Sequence, residues 1–212
     1  YIDGDKESIL LDAIESCAKL NLNFDIVFAN TNTSYDPDEN GKSSGKTGSD
    51  IERILAFNAI GRKDPVMYQE EWSEVLSHAL SIEAEYMDKI YREKLTEIQY
   101  QVTRNSATER AFTGLYDKHF EVGNYHCICC GHLLFESTGK YNSGCGWPAF
   151  HTEYINAKIS RIEDYSHGMS RVEVKCSKCD AHLGHVFEDG PLEYGGERYC
   201  INSAALEFRE SD

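Results

Sequence analysis

Residues 175–189 read KCSKCDAHLGHVFED. Cys176 closes the segment SRVEVKC (170–176), in which apolar and polar residues alternate, and Cys179 follows after a two-residue spacer. Period-two alternation marks a half-buried strand. A second strand-like segment, GHVFED (184–189), follows the pair. The stretch therefore reads as a hairpin with two thiols at its turn.

The same design occurs upstream. In YHCICCGHLLF (125–135), Cys127 lies in the strand-like segment YHCIC and Cys130 just after it, before the next segment HLLFES. Gly131 follows where a tight knuckle needs a residue without a Cβ. Zinc takes four thiolates in a tetrahedron, and a CxxC turn presents two sulfurs about 3.5–4 Å apart on one side of the ion. The expectation is one zinc held by Cys127, Cys130, Cys176 and Cys179, clipping two distant hairpins together. With cysteine at all four positions no coordination site stays open, which makes the metal structural. Two alternatives stand beside this: one pair is a redox dithiol, or Cys129 replaces Cys130. The two-residue spacer fits the knuckle better and leaves Cys129 as a packed spare thiol.

Working outward, six short segments from about Phe120 onward have β character: YHCIC, HLLFES, NAKISRIED, SRVEVKC, GHVFED and ERYCIN. Strands at this spacing predict an all-β sandwich or barrel. Thr96 is placed to cap a short helix running through Tyr100–Thr103. Before residue 90 the pattern changes. Apolar positions at helical spacing occur over 5–20, 51–60 and 69–94, the last including Trp72, Val75, Leu76 and Ala79. NFDIVFAN (23–30) reads as a short strand. Residues 31–50 hold one aromatic and no aliphatic side chain, the composition of a flexible linker. The predicted organisation is an N-terminal extension over 1–90, with a linker at about 31–50, and a β domain over 91–212. Two motifs in the linker are incomplete. DPDENG (36–41) opens like a calcium loop but has Thr47 at the twelfth position. GKSSGKT (41–47) ends like a phosphate-binding loop but has Asn40 at its first glycine.

The net charge is −15, from 36 acidic and 21 basic residues. Phosphate contacts need clustered Lys and Arg, so no nucleic-acid partner is expected. No run of 18 apolar residues is present, so no membrane span is expected. Reduced thiols and the lack of a recognisable signal make a cytoplasmic location the expectation.

Outside the predicted zinc set lie Cys17, Cys129, Cys145 and Cys200. Cys145, in SGCGWPAF (143–150), has a glycine on each side and Trp147 and Phe150 nearby. Cys200, in GGERYCINSAAL (195–206), shares a strand face with Arg198. A guanidinium beside a thiol favours the thiolate, the nucleophilic form. His182, His185 and Asp189 offer a proton donor and an orienting carboxylate. Strict alternation puts the two histidines on opposite faces, so Gly184 is expected to bend the strand and aim both at one site.

From Leu95 to Phe208 the chain resembles the B-type methionine sulfoxide reductases, which act on the R epimer. The resemblance runs through LTEIQYQVTRNSATERAFTG, YHCICCGHLLF, KYNSGCGWPAF, DYSHGM, KCSKCDAHLGHVFEDGP and GGERYCINSAALEF in the family's order. Residues 1–85 lie outside it. The resemblance implies two antiparallel β-sheets, barrel-like, with short helices at the N-terminal edge and a structural zinc clip. It implies Cys200 as the catalytic cysteine and Cys145 as the resolving one. His182, His185, Asp189, Arg198 and Asn202 match the family's polar active-site positions, and Trp147 matches the aromatic residue facing the substrate methyl group, with Phe150 beside it. Cys127, Cys130, Cys176 and Cys179 match the zinc ligands. The implied reaction is reduction of methionine-R-sulfoxide, free or in oxidised proteins, with thioredoxin as reductant and a monomeric enzyme. The competing readings are a non-enzymatic zinc-ribbon module that binds a partner protein and a redox sensor without turnover. The zinc-ribbon reading leaves Cys200, Arg198, Cys145 and Trp147 unexplained.

Overall fold

A computed structural model describes residues 6–211, which divide into two compact units, one up to Lys89 and one from Ile90 onward. The first is helical: α1 (Lys6–Lys19), α2 (Phe24–Ala29), α3 (Gly48–Ala59) and most of α4 (Trp72–Lys94). Its core gathers Leu10, Cys17, Phe24, Ala56 and Phe57, with Ile54, Val75 and Ala79 forming a second cluster.

The segment read as a strand over 23–30 is α2. Asn23 caps it by accepting from the Ile26 N–H at 3.0 Å, and Phe24 and Phe28, one turn apart, stack at 4.3 Å. The β-branched pair Ile26–Val27 suggested a strand, but a local cap and an i,i+4 aromatic pair decide for the helix.

The segment read as a flexible linker is tied down by polar contacts, and α3 begins inside it. Asp38 Oδ1 accepts from the backbone N–H groups of Asn40 and Lys42, closing a turn. Ser43 bridges to Met67 and Gln69 through its backbone. Arg53 forms a bidentate pair with the fully buried Asp64, at 2.6 and 2.9 Å, and donates to the carbonyls of Thr31 and Phe28. This stretch has few apolar side chains because its order rests on polar groups that satisfy one another.

The second unit holds α5 (Glu97–Asn105) and nine strands: β1 (Gly123–Cys127), β2 (Leu133–Glu136), β3 (Lys140–Tyr141), β4 (Ala149–Phe150), β5 (Ile159–Asp164), β6 (Arg171–Cys176), β7 (His182–Phe187), β8 (Arg198–Ile201) and β9 (Leu206–Glu210). Thr96 is the N-cap of α5, and the Gln99 side chain accepts from its backbone N–H. The strands form two antiparallel sheets, ordered β2-β1-β9 and β3-β4-β8-β7-β6-β5. Among the described residues no ladder joins the two, and neither closes into a barrel. Their inner faces share an aromatic core in which Phe135 stacks on Phe150 at 4.3 Å and Tyr125 and Tyr199 pack edge-on. No helix among the described residues is long and apolar enough to cross a membrane.

Breaking the buried pair in the first unit leaves Asp64 charged without its partner. Arg53→Ala is expected to lower that unit's stability by about 3–5 kcal/mol. The measurement is urea unfolding followed through Trp72 in a Trp147→Phe background. An unchanged midpoint would show that the pair does not hold the loop.

Candidate active site

Cys127 ends β1 and Cys176 ends β6, so each CxxC turn starts where a strand stops. Gly131 takes φ 72° just after the first pair, the left-handed conformation a knuckle requires. The four sulfurs of Cys127, Cys130, Cys176 and Cys179 lie within 4.8 Å of one another. Across the two turns, Cys127 Sγ is 3.6 Å from Cys179 Sγ and Cys130 Sγ is 3.7 Å from Cys176 Sγ. Sulfurs about 2.3 Å from a central ion in a tetrahedron sit about 3.8 Å apart. The donor set therefore fits one tetrahedral metal ion. Cys129 is buried outside the four, and its carbonyl accepts from Lys94 Nζ.

β7 leaves the second cysteine turn and carries both histidines. Its register against β6 slips: Gly184 pairs with Val174 and His182 with Lys175, leaving Leu183 as an extra residue. That bulge puts His182 and His185 on one face, with ring centroids 5.6 Å apart. Gly184 serves the expected bend by having no Cβ, since one added there would lie 2.1 Å from the Cys200 carbonyl oxygen on β8. The close β7–β8 approach sets His185 directly opposite Cys200.

Both imidazoles are oriented by carboxylates from β5 and β6. His185 Nε2–H donates to Asp164 Oδ2 at 2.8 Å, the ring's one protein hydrogen bond among the described residues. Asp164 is held in turn by Arg171 Nη2 and the Ser166 N–H; hydrogen bonds from Ser166 and His185 keep its carboxyl well below the usual range. His182 Nδ1–H donates to Glu173 Oε1 at 2.5 Å, and its Nε2 is buried without a protein partner. Burial pushes the His182 pKa down despite the carboxylate, favouring the neutral ring.

Asp189 was expected to orient a histidine. It lies in another direction, where it accepts both guanidinium hydrogen bonds of Arg198, at 2.8 and 2.9 Å. Asn202 is buried and clamps the backbone: its amide donates to the Leu183 carbonyl and its oxygen accepts from the Glu109 N–H. The Glu109 carboxylate caps Ser203 and Ala204, while its carbonyl accepts from Trp147 Nε1 at 3.0 Å and fixes the indole. Phe150, expected to meet substrate, is fully buried in the aromatic core and does not reach the cleft. Trp147, Cys200, His185, Phe187, Arg171 and Thr108 line a cleft of about 100 Å³.

Cys145 sits in the loop between β3 and β4, with its Sγ 3.7 Å from Cys200 Sγ. Ser143 Oγ–H donates to Cys145 Sγ at 3.0 Å. Burial raises the Cys145 thiol pKa, but the hydrogen bonds from Ser143, the Trp147 backbone and Cys200 outweigh it and bring the pKa below its ordinary value. Cys200 goes the other way. Burial and the neighbouring Cys145 push it up to about 12, against a downward pull from Arg198. The expectation that Arg198 holds Cys200 as a thiolate is therefore corrected for the resting site. Its charge is already engaged by Asp189 and does not overcome desolvation.

Asp164, Glu173, Glu109 and Ser143 were not singled out in the sequence. Alternation in SRVEVKC gave the available signal for Glu173, which stands between Val172 and Val174 on the polar face. Residues 95–210 match the family model described as the SelR domain. The chain belongs to that family. Its relatives include the "Peptide methionine sulfoxide reductase MsrB" of Burkholderia thailandensis, 56% identical over 121 residues that cover 57% of this chain and 85% of that protein. The Hahella chejuensis protein of the same description is 54% identical over 125 residues, 59% of this chain and 89% of its own. That of Variovorax paradoxus is 57% identical over 111 residues, 52% and 81% respectively. The SelR-domain segment is thus that of a B-type methionine-R-sulfoxide reductase.

The opposed thiol shifts predict an order of labelling. At pH 7 the thiolate fraction of Cys200 is on the order of 1 in 10⁵, from its pKa of about 12. Iodoacetamide is expected to label Cys145 before Cys200, and Cys200 labelling should keep rising with pH well above 9. Cys145→Ser should speed it by removing one of the two main causes of the raised pKa. Peptide mapping that finds Cys200 modified first at pH 7 would contradict this.

Proposed function

We propose that residues 91–212 reduce methionine-R-sulfoxide, free or in a protein chain, through a sulfenic acid on Cys200 and an internal disulfide with Cys145. The observation that carries the reading is the 3.7 Å separation of the two sulfurs directly opposite His185, at a cleft walled by Trp147. A sulfoxide oxygen leaves only when protonated or strongly hydrogen-bonded. Cys200 Sγ attacks the substrate sulfur as proton density reaches the oxygen. His185 supplies that proton, with Nε2 committed to Asp164 and Nδ1 left for substrate or water. Neutral His182, with its unpartnered Nε2, holds the hydrogen-bonded water behind it. Because resting Cys200 is protonated, its proton passes to the free Nδ1 of His185 as attack begins and from there to the substrate oxygen, while Arg198 steadies the charge that forms. Trp147, fixed by the Glu109 carbonyl, receives the methyl group.

Methionine leaves, and the oxygen stays on Cys200 as sulfenic acid. Cys145 Sγ, held by the Ser143 hydroxyl, attacks Cys200 Sγ as it gives up its thiol proton; the sulfenic hydroxyl takes up that proton and leaves as water, and the Cys145–Cys200 bond forms. The disulfide is returned to thiols by an external dithiol protein, for which thioredoxin is the expected candidate. The metal in the four-cysteine site is zinc, and its role is to stabilise the fold without entering the reaction.

An assay with separate R and S epimers and dithiothreitol tests the reading. Turnover of R alone is expected, and none of either epimer would overturn it. Cys200→Ser should abolish product formation. Cys145→Ser should still release about one methionine per enzyme and then stall as a dimedone-reactive sulfenic acid, with thioredoxin-supported turnover falling at least tenfold. Full thioredoxin turnover by Cys145→Ser in a Cys129→Ser background would remove Cys145 from its role.

The metal is tested separately. One zinc per chain is expected by elemental analysis, and Cys176→Ser should lose it together with the cooperative unfolding of the β domain. Active protein free of zinc would refute the assignment.

A further inference from the structure

The two sulfurs at the site face different openings. Cys200 lines the cleft of about 100 Å³ beside Trp147 and His185. Cys145 lines a second opening of about 480 Å³, walled by Tyr141, Ser143, Asp189 and Arg198. Ser143 Oγ–H donates to Cys145 Sγ at 3.0 Å. Arg198 gives Nε and Nη2 to Asp189, and its Nη1 carries no protein hydrogen bond among the described residues. A sulfur at an open cleft, a hydroxyl donor against it, a cation in the cleft wall and a second thiol 3.7 Å behind are the parts that peroxide reduction needs. From this arrangement we infer a further activity: the cysteine pair reduces hydrogen peroxide directly, with Cys145 as the attacking sulfur and Cys200 as the resolving one. The roles are the reverse of those in sulfoxide reduction, and the activity does not depend on that reaction.

Peroxide is small enough for either opening, so size does not choose the sulfur. Charge does, because the thiolate and not the thiol is the nucleophile. Hydrogen bonds bring the Cys145 pKa below its ordinary value, whereas that of Cys200 is pushed up to about 12. The pair also carries its own trigger for the second step. After burial, what raises Cys200 is Cys145 itself, through its charge and its hydrogen bond. Oxidation of Cys145 to a neutral sulfenic acid removes that charge and leaves the downward pull of Arg198 in place. Cys200 therefore ionises more readily once there is a sulfenic acid for it to attack.

In the first step Cys145 gives up its thiol proton and Sγ bonds to one peroxide oxygen. The O–O bond breaks, and the other oxygen leaves as hydroxide into the cleft walled by Arg198, where it takes up a proton to become water. The sulfur is oxidised to sulfenic acid as the peroxide is reduced. Cys200 Sγ, losing its own proton, then attacks Cys145 Sγ. The S–O bond breaks, the hydroxyl leaves as water with that proton, and the Cys145–Cys200 bond forms. A dithiol returns this disulfide to two thiols and is itself oxidised to a disulfide. One peroxide and one dithiol thus give two waters and one disulfide.

Peroxide consumption by the full chain with dithiothreitol tests this. The parent is expected to consume hydrogen peroxide at least about tenfold faster than Cys145→Ser, the margin expected of a thiolate over the remaining thiols. Equal rates would overturn the inference. In Cys200→Ser, one equivalent of peroxide followed by a dimedone trap should place the sulfenic acid on Cys145 by peptide mapping; a trapped sulfenic acid on another cysteine in its place would also overturn it. Reduction of R-methionine sulfoxide is measured on the same samples. Methionine formation with no peroxide consumption above that of Cys145→Ser would sink the inference alone, and peroxide consumption with no methionine formation would sink the sulfoxide reaction alone.

Discussion

Two hairpin turns, one from each sheet, meet at four sulfurs that lie within 4.8 Å of one another. The sheets share no backbone ladder, so this cluster and the aromatic layer between them hold the β unit together. A metal bound to four thiolates contributes folding free energy directly, and a bridge that joins segments far apart in the chain restricts the unfolded state strongly. The cluster also fixes where β7 begins. From that origin one extra residue, Leu183, turns both histidines to one face, and Gly184 brings β7 close enough to β8 to set His185 against Cys200. The reacting groups therefore stand on strands anchored a few residues away, the arrangement that holds a site to the precision catalysis needs.

Charge at the site is distributed by competition. Arg198 bears on both thiols, yet Asp189 holds its guanidinium in a bidentate pair. Cys200 is further from solvent than its neighbour and faces an adjacent thiol that is more readily ionised. Desolvation wins at Cys200 and raises its pKa, while the hydrogen bond from Ser143 helps bring that of Cys145 below its ordinary value. The order has a chemical use. In the proposed reaction the attacking sulfur stays protonated and protected from adventitious oxidation until substrate arrives, while the sulfur proposed to capture the sulfenic acid is the more readily ionised of the two.

Much of this was legible in the sequence because the relevant signals are local. Each CxxC pair interrupts an alternating segment, and the two pairs identify themselves as one donor set. Six of the nine strands follow from period-two runs; β3 and β4 have two residues each, too short for any periodicity to show. What stayed hidden depends on register. Asp164 and Glu173 orient the histidines only because of how β5, β6 and β7 align, and a one-residue bulge decides which carboxylate faces which ring. Asp189 looked like a histidine partner from its place in the chain, but strand pairing puts Phe187 opposite Arg198 and Asp189 reaches the guanidinium instead. Phe150 looked available beside Trp147, although its ring is fully buried and stacks on Phe135 in the core. In residues 31–50, order comes from polar groups satisfying one another, which composition alone reads as disorder.

The most direct measurement is peptide mapping of the enzyme after one equivalent of R-methionine sulfoxide, with no reductant and rapid alkylation of free thiols. The account predicts a single new disulfide, between Cys145 and Cys200, formed in step with methionine, while the four metal-site cysteines and Cys129 stay reduced. A bond from Cys200 to any other cysteine, or methionine released with no disulfide at all, would contradict it.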